Sequence, residues 1–566
     1  MTVQHPGGAV RPEGGGVSGT PATPALVRIA FTLTSIGQLV VLLALTLAAG
    51  AVAGWGFTWI TSAENPLFGY LCALLWTALV LVGWELVAII GKWLLIGRAR
   101  PGTLDLWSLH HFRFWAATRL VRGAPAARLV GSEWQRWHLN ASGARIGRGT
   151  VLLCATPPVP DLVEIGPHSF VGERTLLSGY RHADGALILD RVQLGAGAVV
   201  GDDCVLEPGS SLGDHARLAG SASLQPGQAV PSGQSWHGSP ARPVDTELPN
   251  QPQLIARPRL GTPARRVGYA IAQLIVWVAV LAAAADAVSW VGRYLLTELF
   301  PAAVDGSAFG LPIALGWSLA LAAAMLLVVL LAMVVLSAAP RAVAGLLEAG
   351  RVFPLPGSRW ALVRMVRAAS NLPWFSVLFN GSALATRRLR LLGWRLRQRP
   401  GSIEAFGEGV GQANPLAVSW GAGSTAGDRL CIANLECSAD AFRVAPARIG
   451  ADCSLGDEVS WPSAARLGDS CQVAPRTAVP VSGPLRIRVS LQGSPAVESE
   501  RESSERSEWG RSLPELYRQL GDRARADVAT IGLQLLVGWC WLSLALLLVQ
   551  LLVAVGLPDW LVGFGI

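Results

Sequence analysis

Eight histidines occur in this 566-residue chain, all before residue 240, and one of them sits where a regular pattern breaks. The stretch TLLSGYRHADGALIL, Thr175 to Leu189, carries His182. Apolar residues around it keep a six-residue beat: Ile165, Val171 and Leu177 come first, and the next clear member, Leu194, is seventeen positions on and out of phase. The excess is predicted to loop out of whatever the beat builds. Imidazole titrates near 6.5, so His182 in such a loop could take a proton from an attacking amine or hydroxyl near neutral pH. Asp184 could orient the ring or hold its charged form, and Gly179 and Gly185 leave room for backbone N–H donors at an oxyanion. The bland alternative is a solvated loop histidine.

Other chemistry-bearing residues divide by setting. Arg181, beside His182, and Trp236 with His237, bordering the end of the same repeat, are candidate substrate-binding residues. His168 and His215 fall within the beat and are expected to face solvent. His110 and His111 belong to LDLWSLHHFRFWAATRL, whose aromatic and basic mixture reads as an interfacial helix and not as a ligand set. Eight scattered cysteines form no CxxC pair, which argues against a metal site or a disulfide framework and suits a reducing cytoplasm.

The elements that must position these groups are set by composition. Half of the residues are hydrophobic and only 15% are charged. Apolar blocks at about 32–55, 66–96, 268–297, 311–338 and 528–555 are each long enough to cross a ~30 Å hydrocarbon core as a helix. The links GFTWITSAENP and TELFPAAVDGSAFG hold no Lys or Arg, whereas Lys92, Arg98, Arg100, Arg257, Arg265, Arg341 and Arg351 flank the long polar segments. The positive-inside rule therefore predicts a cytoplasmic N-terminus, two cytoplasmic polar domains and a C-terminus outside. The net charge of +8 is mostly this topological signal, and no stacking-plus-basic pattern points to nucleic acid. The basic residues are 45 Arg and a single Lys, Lys92, read as codon bias of a GC-rich bacterial genome. Glu85 and Asp286 lie within or at the edge of apolar blocks; such carboxylates are functional suspects, with an interfacial position as the alternative.

The layout is duplicated. GRARPGTLDLW (97–107) returns as GRVFPLPGSRW (350–360), and GSPA at 238–241 returns at 493–496. Each unit is a membrane hairpin, a short amphipathic link and a polar domain. The predicted organisation is a disordered 1–24, hairpin 25–97, interfacial helix 98–124, first domain 125–245, linker 246–265, hairpin 266–339, interfacial segment 340–370, second domain 371–497, linker 498–526 and a fifth helix within 527–566. Inside the domains, Leu194, Val200, Leu206, Leu212, Leu218, Leu224 and Val230 stand six apart; Ile449, Leu455, Trp461, Leu467, Val473, Val479 and Leu485 repeat this 255 positions later. Period six suits a chain that turns a corner every six residues and points an aliphatic side chain inward each time, a parallel β-helix. Offset by 255, His182 becomes Cys437, so the second domain has no imidazole there. A thiolate nucleophile at Cys437 is conceivable, with nothing nearby in sequence to lower its pKa.

Hexapeptide repeats closing with WHGSPA resemble the left-handed β-helix acyltransferases. With the alternating hairpins, KWLLIGRARPG after the second helix and GARIGRGT opening the first domain, the layout resembles the membrane C-terminal region of ε-poly-L-lysine synthetase and related nonribosomal peptide synthetases. The resemblance runs from about residue 25 through nearly the whole chain. It implies an α + β membrane protein with transmembrane helices alternating with two cytoplasmic left-handed parallel β-helix domains. It also implies His182 as the catalytic residue, acting on a thioester. No adenylation segment or carrier serine motif is visible, so the aminoacyl group would come from an adenylation–carrier protein in trans. Phosphopantetheine on that carrier, or CoA, would be presented and not tightly bound. A third cytoplasmic domain is absent, and SLQPGQAVP offers Gln225, Pro226 and Gln228 where the family has a Lys and a Glu.

Three functions fit this reading. One is amide-bond formation by a membrane-bound acyl- or aminoacyltransferase in a bacterial cytoplasmic membrane. The others are a non-catalytic scaffold or export platform for the adenylation–carrier partner, and a CoA-dependent acetyltransferase. Pairing of chains into a homo-oligomer is left open.

Overall fold

The computed structural model describes residues 24–106, 108–183, 185–244, 262–294, 311–372, 383–397, 405–463, 465–481, 483–500 and 513–554. Asp184, the N-terminal segment before residue 24 and much of both linkers lie outside the described residues. Helices run in chain order as α1 (Pro24–Thr61), α2 (Pro66–Ile96), α3 (Leu109–Gly123), α4 (Glu133–Ala141), α5 (Thr262–Tyr294), α6 (Leu311–Ala342), α7 (Ser358–Ser370), α8 (Ala383–Leu392) and α9 (Leu513–Ala554). Five of them, α1, α2, α5, α6 and α9, are long and apolar enough to cross a membrane. Helix α2 starts where the Asn65 side chain accepts from Phe68 N at 2.9 Å and Pro66 supplies a preset φ. It ends at Gly97, which takes φ +58. Small residues let α2 and α5 approach closely: a Cβ at Gly69 would lie 2.9 Å from Asp286 Oδ1, and Ala73 and Ala282 are fully buried.

The polar segments form two stacks of very short parallel strands. In the first, Val199 pairs with Arg217, Val205 with Ser223 and Ser211 with Ala229, each eighteen positions on. Three six-residue edges therefore make one turn of a three-faced coil. The residues of the six-residue beat, Leu194 to Val230, point inward and fuse into one buried core. Corners are tight enough to demand glycine: a Cβ at Gly195 would fall 2.5 Å from the backbone nitrogen of Asp214 in the next coil. His168 and His215 occupy such corners at φ +56 and +57, exposed to solvent.

One coil is longer. Phe170 pairs with Val199 and Leu176 with Val205, twenty-nine positions apart, eleven more than a plain turn. The surplus leaves the stack as an antiparallel hairpin. The second stack repeats both spacings, with Ser454 opposite Gln472 and Thr425 opposite Ser454. Its core is bulkier, filled by Trp420 and Trp461.

The first stack is tied to the membrane helices by charge. Lys92 Nζ, near the end of α2, lies 2.8 Å from both carboxylate oxygens of Asp161, and both side chains are buried. Two turns earlier, Glu85 accepts from Ala126 N at 3.1 Å and stands 2.5 Å from His138 Nδ1 on α4. Glu85 is thus a fixed partner of the first polar domain. The Trp134 indole donates to Ala270 O at 2.8 Å, bringing α5 onto α4.

The second unit lacks this pair. A Cβ at Gly143 would meet Asp161 and one at Gly393 would meet Leu416, so Leu416 holds the place of Asp161. Removing one partner of a buried ion pair typically costs ~3–5 kcal/mol, whereas replacing both by apolar groups is often neutral. Lys92→Met should therefore lower the midpoint of denaturant-induced unfolding of the first domain by a corresponding amount. Lys92→Met with Asp161→Leu should recover most of the loss.

Candidate active site

The eleven surplus residues form strands β2 (Tyr180–Ala183) and β3 (Ala186–Leu189), turned at Gly185 with φ +74. Strand β1 (Gly102–Asp105), just past the end of α2, pairs antiparallel with β3, from Gly102 opposite Leu189 to Asp105 opposite Ala186. The hairpin is therefore a small three-stranded sheet pinned to the membrane-proximal chain. Beneath it lie Phe114 of α3, Val159, Leu162, Leu187 and Leu189. The room expected at Gly179 is taken by packing, since a Cβ there would be 3.3 Å from Leu162.

Strand alternation sorts the candidate residues. Tyr180 and His182 lie opposite Leu189 and Leu187, on the face turned to α3. The Tyr180 ring meets Phe114 edge-on at 5.9 Å and His182 edge-on at 5.7 Å. His182 is exposed at the rim of this aromatic floor. Arg181, opposite Ile188, is exposed on the other face of the hairpin.

Trp236 and His237 lie in the last coil, three rungs along from Phe170–Val171, the strand of the coil that carries the hairpin. Trp236 packs on the coil core and donates to Gln234 Oε1 at 3.0 Å; burial holds the His237 pKa below its usual value. Nearby the two GSPA closures meet, with Ser239 N donating to Ser494 O at 3.0 Å. The structure brings His182 together with neither Trp236 nor His237.

It does bring in His111. The Ser108 side chain accepts from His111 N and caps α3, setting the histidine in the first turn beside the hairpin. Burial lowers the His111 pKa, and the nearby His182 lowers it further. Two imidazoles thus share this rim, and burial biases one of them toward its neutral form. The HHF segment reads as interfacial in sequence, and only the docking of α3 under the hairpin brings His111 near His182. Among the described residues no group of His, Cys, Asp and Glu is arranged to hold a metal ion.

The second stack uses the same hairpin differently. Its strands β5 (Leu435–Cys437) and β6 (Ala441–Val444) are paired by β4 (Val352–Pro354), as β1 pairs with β3. This hairpin turns into the seam between the stacks, where Cys437, Asp202, Arg217 and Ser460 line a cavity of about 170 Å³. Burial raises the Cys437 thiol well above 9, with Asp202 adding to the rise and Arg367 and Arg364 opposing it. Across the seam Glu173 pairs with Arg367, and Ser460 Oγ donates to Asp203 Oδ2 at 3.2 Å. Burial pushes Asp202 up to about 7, against the pull of Arg174 and with help from Asp203.

Two titrations check these environments. The NMR midpoint of His111 should lie below 6.5, and His182→Asn should raise it only partway, because burial is the larger cause. Asp202 has a folded-state pKa raised above its ordinary 3.8. Its stabilising contribution is complete below that value and is lost as pH rises through about 7. Thermal melts of Asp202→Asn should accordingly lose this part of the pH dependence.

No protein-family model matches the chain. It is 28% identical over 204 residues to Delta-poly-L-ornithine synthetase of Acinetobacter baumannii (strain AB307-0294), covering 36% of this chain and spanning 15% of that relative's length. Among solved structures, a hexapeptide-repeat acetyltransferase from Vibrio cholerae in complex with acetyl-CoA matches at 17% identity and TM-score 0.19, over 23% of this chain and 87% of its own. A galactoside acetyltransferase in complex with coenzyme A matches at 14% identity and TM-score 0.18, over 23% and 78%. The sequence similarity to a poly-amino-acid synthetase fits the family that the repeat layout resembles.

Proposed function

We propose that the chain is a membrane-held acyltransferase that forms peptide or isopeptide bonds from an aminoacyl thioester, with His182 as general base. The observation that carries this reading is an accessible imidazole on a hairpin clamped by a third strand, beside a second, half-buried imidazole. The imidazole of His182 accepts a proton from the acceptor amine as its nitrogen attacks the thioester carbonyl. The resulting C–N bond gives a tetrahedral oxyanion; its collapse breaks the C–S bond and expels the thiolate, which takes the proton back from the imidazolium. His111 supports the cycle electrostatically, since a neutral neighbour does not oppose the transient charge on His182 as a second imidazolium would.

The thioester arrives on phosphopantetheine, carried by a separate adenylation–carrier protein or by CoA. The winding of the coils is left-handed in this reading, and both stacks face the cytoplasm of a bacterial cell, as the arginine-flanked segments favour. Asp184, next to the turn, is the proposed orienting group, and Arg181 a contact for the carrier on the outer face.

The second reading is a non-catalytic scaffold or export platform. It is favoured by the second stack, where the position equivalent to His182 is Cys437, buried at the seam. The test uses the full chain in nanodiscs with an aminoacyl-loaded carrier. His182→Ala should reduce product formation by about 10²–10⁴-fold with an unchanged melting temperature. Turnover that survives the substitution, with the carrier still co-purifying, selects the scaffold.

A further inference from the structure

The outer sheet of the second stack carries an arginine ladder. Arg395 lies beside Ser419, Ser419 beside Arg448 and Arg448 beside Arg466, on successive rungs. Arg397, Arg448 and Arg466 are exposed and, with Arg486, line a cleft of about 1000 Å³ bounded by Pro480, Val481 and Gly483 to Leu485. Arg486 is paired with Glu498. The other three have no ion-pair partner among the described residues. The one acid in the cleft, Asp469, is engaged by Ala451 N at 2.7 Å.

The duplication supplies an internal control. On the matching sheet of the first stack, Glu164 stands 3.3 Å from Arg145 and 3.7 Å from Arg191, and accepts from the Gln193 amide at 3.1 Å. At the places of Glu164, Gln193 and Ser211, 255 positions on, the second stack has Ser419, Arg448 and Arg466. At these three positions one negative charge is lost and two positive charges are gained, while Arg191 gives way to Pro446. Elsewhere on this stack Arg429 and Arg476 share the carboxylate of Glu458.

Like charges facing each other across a ladder are destabilising, so this arrangement costs stability in the free protein. An anion between the rungs reverses the sign. Arg448 and Arg466 spring from adjacent strands ~4.8 Å apart, so their planar donor forks can reach adjacent phosphates. We propose that this cleft binds a diphosphate-bearing ligand at a site separate from the His182 hairpin. Two sources carry that group: a soluble phosphoanhydride and the head group of a diphosphate lipid.

The test measures binding of inorganic pyrophosphate to the full chain in phosphatidylcholine nanodiscs by calorimetry. Binding should weaken roughly tenfold or more per arginine in Arg448→Gln and Arg466→Gln. Ser419→Glu, which restores the carboxylate of the first stack, should weaken it comparably. Displacement of pyrophosphate when the discs are doped with a polyprenyl diphosphate identifies the lipid source; unchanged binding identifies the soluble one. Pyrophosphate that fails to bind the wild-type chain at millimolar concentration, or binds all three variants equally, overturns the proposal.

Discussion

A charged amine and a carboxylate, both shut away from water, hold the membrane part of the first unit to its coil. Lys92 belongs to α2 and Asp161 to the opening of the second coil, so their contact fixes the height and rotation of the stack beneath the helix. The Glu85–His138 contact on the same helix adds a second fixed point. With α2 anchored, the chain leaving it lies where β1 can pair with the hairpin, and α3 lies where it can pack beneath. The position of His182 follows from that sequence of constraints. The second unit reaches the same topology with an apolar contact at the corresponding place, which shows that the coil does not require the ion pair. What the pair adds is orientation, since a buried charge tolerates one partner geometry where a leucine tolerates several.

The eleven-residue excursion is common to both stacks, yet its two copies do opposite things. In the first stack its imidazole is open to solvent. In the second the equivalent position holds a thiol pressed against the neighbouring stack. The duplicated element is thus open in one copy and part of the seam in the other. The ion pairs and serine contacts along the seam then hold the two coils as a single body.

Much of this was legible in the sequence, and for a physical reason. A coil with eighteen residues per turn must place an aliphatic side chain inward at each edge, so the beat from Leu194 to Val230 shows without any knowledge of pairing. The membrane helices are legible because hydrocarbon permits no other composition. The break after Leu177 correctly marks residues that leave the stack. The sequence does not reveal that they return as a hairpin clamped by Gly102–Asp105, because strand pairing across more than eighty residues has no local signature. His111 escapes notice for the same reason. Glu85, which reads as an intramembrane suspect, is explained only by the tertiary approach of His138. The arginine ladder likewise exists only once Arg448 and Arg466, eighteen positions apart, are stacked in register.

The chain contains one lysine, and that lysine is buried and neutralised by Asp161. Guanidinium groups, protonated at any cellular pH, are poor nucleophiles, whereas a free ε-amine attacks activated acyl groups readily. A surface built on arginine can attract acidic carriers and phosphates at full positive charge while offering no lysine amine to the thioesters it meets. If the chain handles acyl thioesters as proposed, its single lysine amine is withheld from them by burial.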